Sequence, residues 1–339
     1  MTIIYNSKRF DQHIFPSEKE LEDEIITASK YIFGTSSVYI DAKKKLDAKS
    51  LGTAVPDGFL FDFSDPTDCQ FYIIEIELAK HDFYGHIFRQ ITKFFAFYKN
   101  NKLKKSLIDK LFSIINTDHS LQSNFKKYLG HVEIYKFLSD ILESSQNILL
   151  VIDQKIPELP EIIDTYTDTW GKMVRVIEIQ KFINEQDVIY HIEPDFETIQ
   201  YLETSENNNN EVEEKYSEEF HLTNVNQSVK DIYYQLKTVV QKIDDKLVFN
   251  PQKYYISVKS SKNIAFIKIR NTKIRLIPLI PEEKIKELIH NYPITSLSIN
   301  VQKFYNGPCA AIIINNTESF EDIESLFREV VAYNLKPKK

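Results

Sequence analysis

Apolar and polar residues over the first eighty positions follow two periods, which predict a helix and then a β-hairpin. Ser17, followed three residues later by Glu20, is a capping-box signature for a helix start. The apolar residues after it recur on one arc of a helix, at Leu21, Ile25, Ile26, Ala28, Ile32 and Phe33. Alternation in AVPDGFLFDF, residues 54–63, predicts a strand, and FYIIEIEL, residues 71–78, predicts the second arm of a hairpin.

A second helix is predicted over residues 81–102, HDFYGHIFRQITKFFAFYKNNK, where apolar residues recur at spacings of three and four. NILLVID, residues 147–153, is a continuous apolar run typical of a strand covered on both faces. MVRVIEIQKF, residues 173–182, predicts another strand of the same sheet, and Pro157 and Pro160 open a predicted helix between the two. The first part of the chain is therefore expected to be an α/β domain.

The composition changes abruptly at ETSENNNNEVEEKYSEE, residues 203–219, which is acidic, rich in asparagine and almost free of residues to bury. This segment predicts a linker. We therefore divide the chain into a domain of residues 1–200, a linker of residues 201–222 and a smaller domain of residues 223–339.

The segment after the linker predicts an α+β domain. VNQSVKDIYYQLKTVVQKID, residues 225–244, has the spacing of an amphipathic helix, and SFEDIESLFREVVAYNL, residues 319–335, predicts a closing helix. Three stretches between them predict three or four strands: KYYISVK, IAFIKIRNTKIRLIPLI and SLSINVQKF. Basic residues interleaved with aromatic ones in these strands suit nucleic-acid binding, and the polar outer face of an ordinary sheet explains them equally well.

The global numbers change this picture little. The chain has 339 residues, a formal net charge of -7 and two cysteines without the spacing of a zinc or redox site. Its first residues lack the layout of a signal peptide and no apolar run is long enough to span a bilayer, so we expect a cytoplasmic protein without membrane contact. The negative charge argues against non-specific coating of nucleic acid, although a local basic groove remains compatible with it.

The predicted second arm of the hairpin carries two carboxylates, Glu75 and Glu77, on the same side of the strand. Burying carboxylates is costly unless a cation, hydrogen-bond donors or a proton compensates them, and no Lys or Arg lies at positions 71–79. A bound metal ion is one solution. Cross-strand ion pairs in a core are the other.

Other polar residues accompany this pair. Glu22 falls inside the apolar arc of the first helix, or at its ragged margin, and Asp57 after proline is by itself most often a turn residue. Gln90 lies on one side of the second helix, where it could orient a carboxylate, a water or a phosphate. His81 and His86 could bind metal, but they are five residues apart and no third ligand is spaced with them.

Lysines cluster on both sides of the paired glutamates in sequence, at Lys43, Lys44, Lys45 and Lys49 and again at Lys99, Lys102, Lys104 and Lys105. Such clusters contact phosphates in nucleic-acid-binding proteins, and they also occur in ordinary solvated loops. Together with Lys80 and Lys93, the residues Lys43, Lys44, Lys45 and Lys99 are our candidates for nucleic-acid contact.

The order of Glu22 on a helix, Pro56-Asp57, Glu75-Ile-Glu77 on a strand and Gln90 on the following helix resembles the PD-(D/E)XK nuclease superfamily. The resemblance covers about positions 15–100 with motifs and is similar in particular to bacterial proteins that join such a core to an uncharacterised C-terminal domain. It implies a restriction-endonuclease-like mixed sheet flanked by helices, and metal-dependent hydrolysis of phosphodiesters.

The resemblance also implies roles for the residues. Asp57 and Glu75 would hold Mg²⁺ or Mn²⁺, with the carbonyl of Ile76 available at the same edge. Glu77 would orient groups, accept a proton or help to hold a second metal. Glu22 would act through water, and Gln90 would contact the nucleic-acid backbone or a metal-bound water.

The sequence departs from the superfamily pattern at the third catalytic position, which is usually Lys and here is Glu77. Some restriction endonucleases of the superfamily have Glu there. Lys80 would replace the missing ammonium only if the strand bends after Leu78, since a continued strand places it on the opposite face from Glu77.

Three functions therefore compete. The first is a metal-dependent endonuclease acting on nucleic acid, DNA rather than RNA, in restriction, repair or phage defence. The second is a catalytically inactive nuclease-like module that binds nucleic acid or a protein. In the third, the carboxylates are merely ion-paired in the core of a scaffold protein. A homodimer, or a protein partner bound through the C-terminal domain, is compatible with each of them.

Overall fold

The computed structural model describes residues 2–45, 55–65, 68–156, 159, 174–197, 199, 216–223, 225–252, 255–270, 272–297 and 299–335. The chain divides into two compact units, Met1–Ile199 and Gln200–Lys339. Lys49, the helix predicted after Pro157 and most of the predicted linker lie outside the described residues. In the part of the chain that the structure describes, no helix is long and apolar enough to cross a membrane.

The N-terminal unit contains a mixed β-sheet. Its strands are β1 (Thr2–Tyr5), β2 (Lys8–His13), β3 (Ser37–Asp41), β4 (Gly58–Asp62), β5 (Gln70–Glu77), β6 (Asn147–Ile152), β7 (Val174–Asn184) and β8 (Asp187–Glu193). Among the described residues these form one sheet in the order β1-β2-β7-β6-β5-β4-β3, with β8 paired to β7. Strands β5, β6 and β7 are parallel, and the other pairs are antiparallel. The predicted hairpin and mixed sheet are confirmed.

Helices cover both faces of this sheet. They are α1 (Glu18–Ile32), α2 (Ala42–Lys45), α3 (Phe88–Tyr98), α4 (Asn101–Thr117), α5 (His119–Leu129) and α6 (Ile134–Ser144). Helix α1 packs its buried side chains against Tyr72, Ile74 and Ile76 of β5. Helices α3 to α6 pack on the opposite face, against Phe71 and Ile73. Strand β5 is therefore buried along its whole length.

Two local signals in the sequence fix the start of α1 and the pairing of β4 with β5. The Ser17 hydroxyl accepts a hydrogen bond from the Glu20 amide at 3.3 Å, as the capping-box pattern predicts. In the hairpin, Gly58 pairs with Ile74, and Asp62 pairs with Gln70. This register places Asp57 beside the acidic end of β5.

The single helix predicted over residues 81–102 is wrong in its boundaries. The chain forms a π-helical turn at Phe83–Ile87, continues as α3 and stops at Tyr98. The Asn100 side chain then accepts hydrogen bonds from the Lys102 and Leu103 amides and starts α4. Apolar spacing alone does not reveal this boundary, because Asn is tolerated inside a helix. Its side chain is nevertheless more favourable at the N-terminus of a helix.

Gly58, the residue after Asp57, leaves room for the Tyr39 ring. A methyl group at this position would overlap with the hydroxyl and ring carbons of Tyr39. We expect Gly58→Ala to lower the free energy of unfolding by about 1–3 kcal/mol, the usual cost of overpacking. Chemical denaturation measures the change. In a Tyr39→Ala background the same substitution should cost much less, and equal costs in both backgrounds would contradict the steric explanation.

The C-terminal unit contains an antiparallel sheet. Its strands are β9 (Val248–Pro251), β10 (Ile256–Lys259), β11 (Asn263–Ile269), β12 (Ile274–Pro278), β13 (Ile294–Ser296) and β14 (Ala310–Ile314). Their order is β13-β14-β12-β11-β10-β9. The helices are α7 (Glu218–Leu222), α8 (Gln227–Ile243), α9 (Glu282–Leu288), α10 (Ile299–Phe304) and α11 (Phe320–Leu335). Helices α8 and α11 pack against one face of the sheet, as their amphipathic patterns predict.

The strand predicted at SLSINVQKF is wrong. Only Ser296 belongs to a strand, and the chain then turns into α10. Its apolar alternation competes with a helical spacing of four at Leu297, Val301 and Tyr305, and these three side chains are buried together. Ile299, which a strand would turn to the same side as Leu297 and Val301, is 71% exposed.

The end of the predicted linker also differs from the prediction. Residues Glu218–Leu222 form α7, and Leu222 is buried in the core of the C-terminal unit. Lys237 of α8 binds Glu218, and the ring of His221 bonds to the Gln252 carbonyl at 2.6 Å. The acidic composition of the segment predicted a linker although it contains a short helix, in which Glu218 is ion-paired.

The basic strands of this unit are not a uniformly accessible surface. Lys268 and Arg275, which face each other on β11 and β12, are 4% and 2% exposed. Charged groups at that depth are retained only with compensation inside the protein. These two side chains are therefore part of the interior, and they do not contribute to the accessible basic face that the sequence suggested.

Candidate metal centre

The β4–β5 hairpin holds Asp57 against β5 through both its backbone and its side chain. The Asp57 amide donates to the Ile74 carbonyl at 3.1 Å. The Ile76 amide donates to Asp57 Oδ2 at 2.6 Å, so one carboxylate oxygen is fixed by the neighbouring strand. Asp57, Glu75 and Glu77 are all buried, and are 4%, 4% and 1% exposed. The sequence prediction of a buried carboxylate group at this edge agrees with this placement.

Glu75 is the least compensated of the three. Among the described residues, its Oε2 atom is buried without a hydrogen-bond partner. Burial raises the pKa of Glu75 well above its ordinary value, and the neighbouring charges of Asp57 and Glu77 raise it further. A carboxylate in this state binds either a proton or a cation.

Lys43, which the sequence suggested as a nucleic-acid contact, supplies a cation to the carboxylates. Helix α2 follows β3 directly, and the Ala42 amide donates to the Asp57 carbonyl at 3.1 Å, which places α2 beside the hairpin. The Lys43 ammonium forms an ion pair with Asp57 Oδ1 and lies 2.7 Å from Glu22 Oε1. It also lies 3.5 Å from Glu18 Oε1.

This ammonium does not fully compensate the carboxylates around it. Burial raises the pKa of Asp57 to about 6, although Lys43 and the Ile76 amide both act to lower it. Burial also raises the pKa of Glu22 from its ordinary value. Glu22 therefore does not merely lie at the margin of the apolar stripe of α1, because it shares the Lys43 ammonium with Asp57.

Glu77 is contacted by the two histidines that sequence reasoning left without a third ligand. His81 Nδ1 lies 2.7 Å from Glu77 Oε2, and His86 Nε2 lies 2.9 Å from Glu77 Oε1. Burial raises the pKa of Glu77, and His81 and His86 oppose that shift. Glu18 Oε2 lies 3.8 Å from His81 Nδ1. The third and fourth ligands thus come from β5 and α1.

Ligand-type atoms gather in two overlapping groups. The first group contains Glu18, Glu22 and Asp57, and the second contains Glu18, Glu77, His81 and His86, with all ligand atoms of each group within 4.8 Å of one another. Glu18 belongs to both. Sequence reasoning missed Glu18 because it is one of several acidic residues in the first turn of α1.

The turn after β5 is held by a residue from β6. The Asp153 carboxylate, directly after β6, accepts the Ala79 amide at 2.7 Å. This bond fixes the position where the chain leaves the sheet and turns back toward Glu77. The parallel pairing of β5 with β6 therefore supports the placement of His81.

The remaining predicted site residues have other contacts. Gln90 accepts the Lys93 ammonium at 2.9 Å, and the Lys80 ammonium donates to the Pro16 carbonyl at 3.2 Å. Strand β5 ends at Glu77 and the chain does turn after Leu78, but Lys80 is exposed and faces Pro16. Lys44 pairs with Asp41, Lys45 pairs with Asp118, and Lys99 is the exposed C-cap of α3.

The charges of the site suit a cation. In the part of the chain that the structure describes, five carboxylates meet there, against the ammonium of Lys43 and two imidazoles; the carboxylates are those of Glu18, Glu22, Asp57, Glu75 and Glu77. Carboxylate oxygens are the ligands preferred by Mg²⁺ and Mn²⁺. The group of Glu18, Glu22 and Asp57 therefore has the ligand chemistry of a site for a divalent ion.

Comparison of the chain with protein-family models, with curated proteins and with solved structures finds no match in any of the three.

Proposed function

We propose that the N-terminal unit is a metal-dependent nuclease with a restriction-endonuclease-like core, which hydrolyses phosphodiester bonds in nucleic acid. The observation that carries the proposal is Glu75, a buried carboxylate with one unpartnered oxygen between Asp57 and Glu77. A structural carboxylate at that depth is normally hydrogen-bonded. The resemblance of the motif order to PD-(D/E)XK nucleases supports the reaction type.

The chemistry follows from the carboxylates. When bound, a divalent ion lowers the pKa of a coordinated water and neutralises charge on the phosphate. Asp57 and Glu75 would hold that ion, while the Ile76 amide keeps the Asp57 carboxylate in one orientation. Glu77, held by His81 and His86, would help to hold a second ion or accept the proton of the attacking water.

Lys43 would take the part of the missing motif lysine. Its ammonium contacts Asp57 from α2, next to the carboxylates, whereas Lys80 donates to Pro16. A positive charge there would stabilise the phosphate oxygens as negative charge develops on them. Lys43, a residue outside the motif, would thus supply the positive charge that Glu77 cannot.

Substitution of Lys43 tests this assignment. We expect Lys43→Met to lower the rate of metal-dependent cleavage about 100-fold, the usual cost of removing one charged donor from a transition state. Lys44→Met is the matched control, since Lys44 lies on the same short helix, is exposed and pairs with Asp41. Equal rates for the two variants would contradict the role of Lys43.

We propose DNA rather than RNA as substrate, in restriction, repair or phage defence, because the resemblance is to DNA-cleaving enzymes. The test incubates the full chain with duplex DNA, single-stranded DNA and RNA, in Mg²⁺, Mn²⁺ or EDTA. Cleavage that requires metal supports the proposal. Absence of cleavage on every substrate, together with calorimetry that detects no metal binding dependent on Asp57 and Glu75, would refute it.

A second candidate function is supported by the ion pairs themselves. Lys43 forms an ion pair with Asp57, and the two histidines contact Glu77, contacts that a non-catalytic module that binds nucleic acid or a protein would also accommodate. Binding of nucleic acid without cleavage in any metal would favour this candidate. Its partner would then contact a surface other than the buried carboxylates.

A further inference from the structure

We infer that Glu77, His81 and His86, with Glu18, form a binding site for a divalent transition-metal ion such as Zn²⁺, beside the proposed Mg²⁺ site at Asp57 and Glu75. The binding itself is independent of the proposed nuclease activity. Only the role of the ion in cleavage rests on that proposal.

The two imidazoles converge on one carboxylate. His81 Nδ1 and His86 Nε2 approach different oxygens of Glu77, at 2.7 and 2.9 Å. The rings are 5.6 Å apart at 70° to each other, so their nitrogens meet at the carboxylate while the rings do not stack. Ligand atoms that each lie about 2.1 Å from one ion are about 3.0–3.4 Å apart. The ligand atoms of the four side chains lie within 4.8 Å of one another, so the side chains close on an ion by drawing together from this arrangement.

The backbone builds this convergence. The Phe88 amide bonds to the Phe83 carbonyl five residues earlier, which defines the π-helical turn that carries His86. Asp82 caps the turn by accepting the Tyr84 amide at 3.1 Å. A side chain at Gly85 would meet Asp82 Oδ2 at 2.6 Å, so a residue other than glycine there would displace the carboxylate that caps the turn. A regular α-helical turn has fewer residues per turn and would point His86 in a different direction.

The burial of the four side chains suits an ion that enters from solvent. The Glu77 side chain is 1% exposed and lies at the buried end of the site. The side chains of His81, His86 and Glu18 are 31%, 52% and 28% exposed, respectively. The Glu77 carboxylate is thus enclosed by the protein, whereas the imidazoles have room to adjust at the surface.

The donor set selects the class of ion. Imidazole nitrogen binds Zn²⁺ and other first-row transition ions, whereas Mg²⁺ prefers oxygen ligands and retains water. Two imidazoles with one or two carboxylates therefore favour a transition ion here. Glu18 extends between this site and Lys43, so an ion here would lie on the same side of the hairpin as the proposed Mg²⁺ site.

The test is calorimetric titration of the full chain, without an affinity tag and after treatment with EDTA, first with Zn²⁺ and separately with Mg²⁺. We expect His81→Gln and His86→Gln each to weaken Zn²⁺ binding at least 10-fold and the double variant about 100-fold, with no change in Mg²⁺ binding. His131→Gln, in an exposed turn of the same unit, is the matched control and should bind Zn²⁺ like the unmodified chain.

A natively folded double variant whose Zn²⁺ affinity is unchanged would overturn the inference. X-ray absorption of the unmodified chain with one equivalent of Zn²⁺ gives a test without variants, since imidazole ligands produce characteristic multiple scattering. Its absence would overturn the inference too. Histidine-dependent Zn²⁺ binding without cleavage of any nucleic acid would uphold this site and remove the proposed function. Cleavage that depends on Asp57, together with Zn²⁺ binding that is unchanged in the histidine variants, would support the proposed function and refute this site.

Discussion

Asp57→Asn is expected to reduce metal-dependent cleavage by a factor of about 10³ or more, which corresponds to about 4 kcal/mol of transition-state stabilisation. The amide is nearly the same size as the carboxylate, and its oxygen can still accept the Ile76 amide. The change thus removes a charge while the hairpin is retained. Cleavage rates at saturating Mg²⁺ or Mn²⁺ measure the effect.

The matched control for this substitution lies at the other end of the same strand. Asp62 is also buried, at 6% exposed, and its pKa is also raised by burial, but its carboxylate accepts the Ser64 amide in the turn of the hairpin. Asp62→Asn should leave the cleavage rate within about threefold of the unmodified chain. Equal losses in the two variants would indicate a general effect of charge removal on the fold.

Glu75→Gln is expected to stabilise the metal-free protein at pH 8 while it removes metal-dependent cleavage. Glu75 carries an unpartnered buried oxygen, and a neutral side chain avoids part of the cost of burying a charge, on the order of 1–3 kcal/mol. The comparison is chemical denaturation of both proteins in EDTA. A variant less stable than the unmodified chain at pH 8 would show that the carboxylate is a structural element.

The pH dependence of this gain has a definite sign. The folded-state pKa of Glu75 lies above its ordinary value of 4.5, so the folded state binds the proton more tightly than the unfolded state. The free-energy cost of burying the ionised Glu75 side chain is absent below pH 4.5 and grows as the pH rises from there toward the folded-state pKa. The advantage of Glu75→Gln should therefore disappear near pH 4, where denaturation of both proteins gives the same free energy.

Glu24 provides a control with the opposite sign. Burial alone would raise its pKa, but hydrogen bonds from Lys181 and Tyr190 lower it from the ordinary value. This group stabilises the fold above its unfolded pKa, and the contribution is lost as the pH falls through the folded pKa. Glu24→Gln should accordingly destabilise the protein at pH 8, and the loss should shrink in acid.

Local patterns were sufficient for much of the framework. The alternation around Asp57, the apolar run with Glu75 and Glu77 and the Ser17 cap predict the hairpin and α1, because each depends on residues adjacent in sequence. The same patterns placed Asp57 and Glu75 together, since a hairpin turn brings its two arms into one register.

The compensating charges could not be predicted in the same way. Lys43 reaches Asp57 only because β3 pairs with β4 and α2 follows β3, and none of these contacts leaves a periodic signal. His81 and His86 meet at Glu77 through a turn fixed by Asp153 and a π-helical segment. No Lys or Arg lies at positions 71–79 of the strand, but the fold brings Lys43, His81 and His86 from other segments to the acidic residues.

The alternation of β5 has a consequence for how reliably the hairpin forms. Glu75 and Glu77 point to one face of the sheet, while Ile74 and Ile76 pack under α1 on the other. A pairing slipped by one residue would drive two carboxylates into the apolar layer beneath α1. The acidic residues thus exclude the nearest competing arrangement of the chain, so selection for correct folding would retain an acidic pair here even in a copy that had lost its activity.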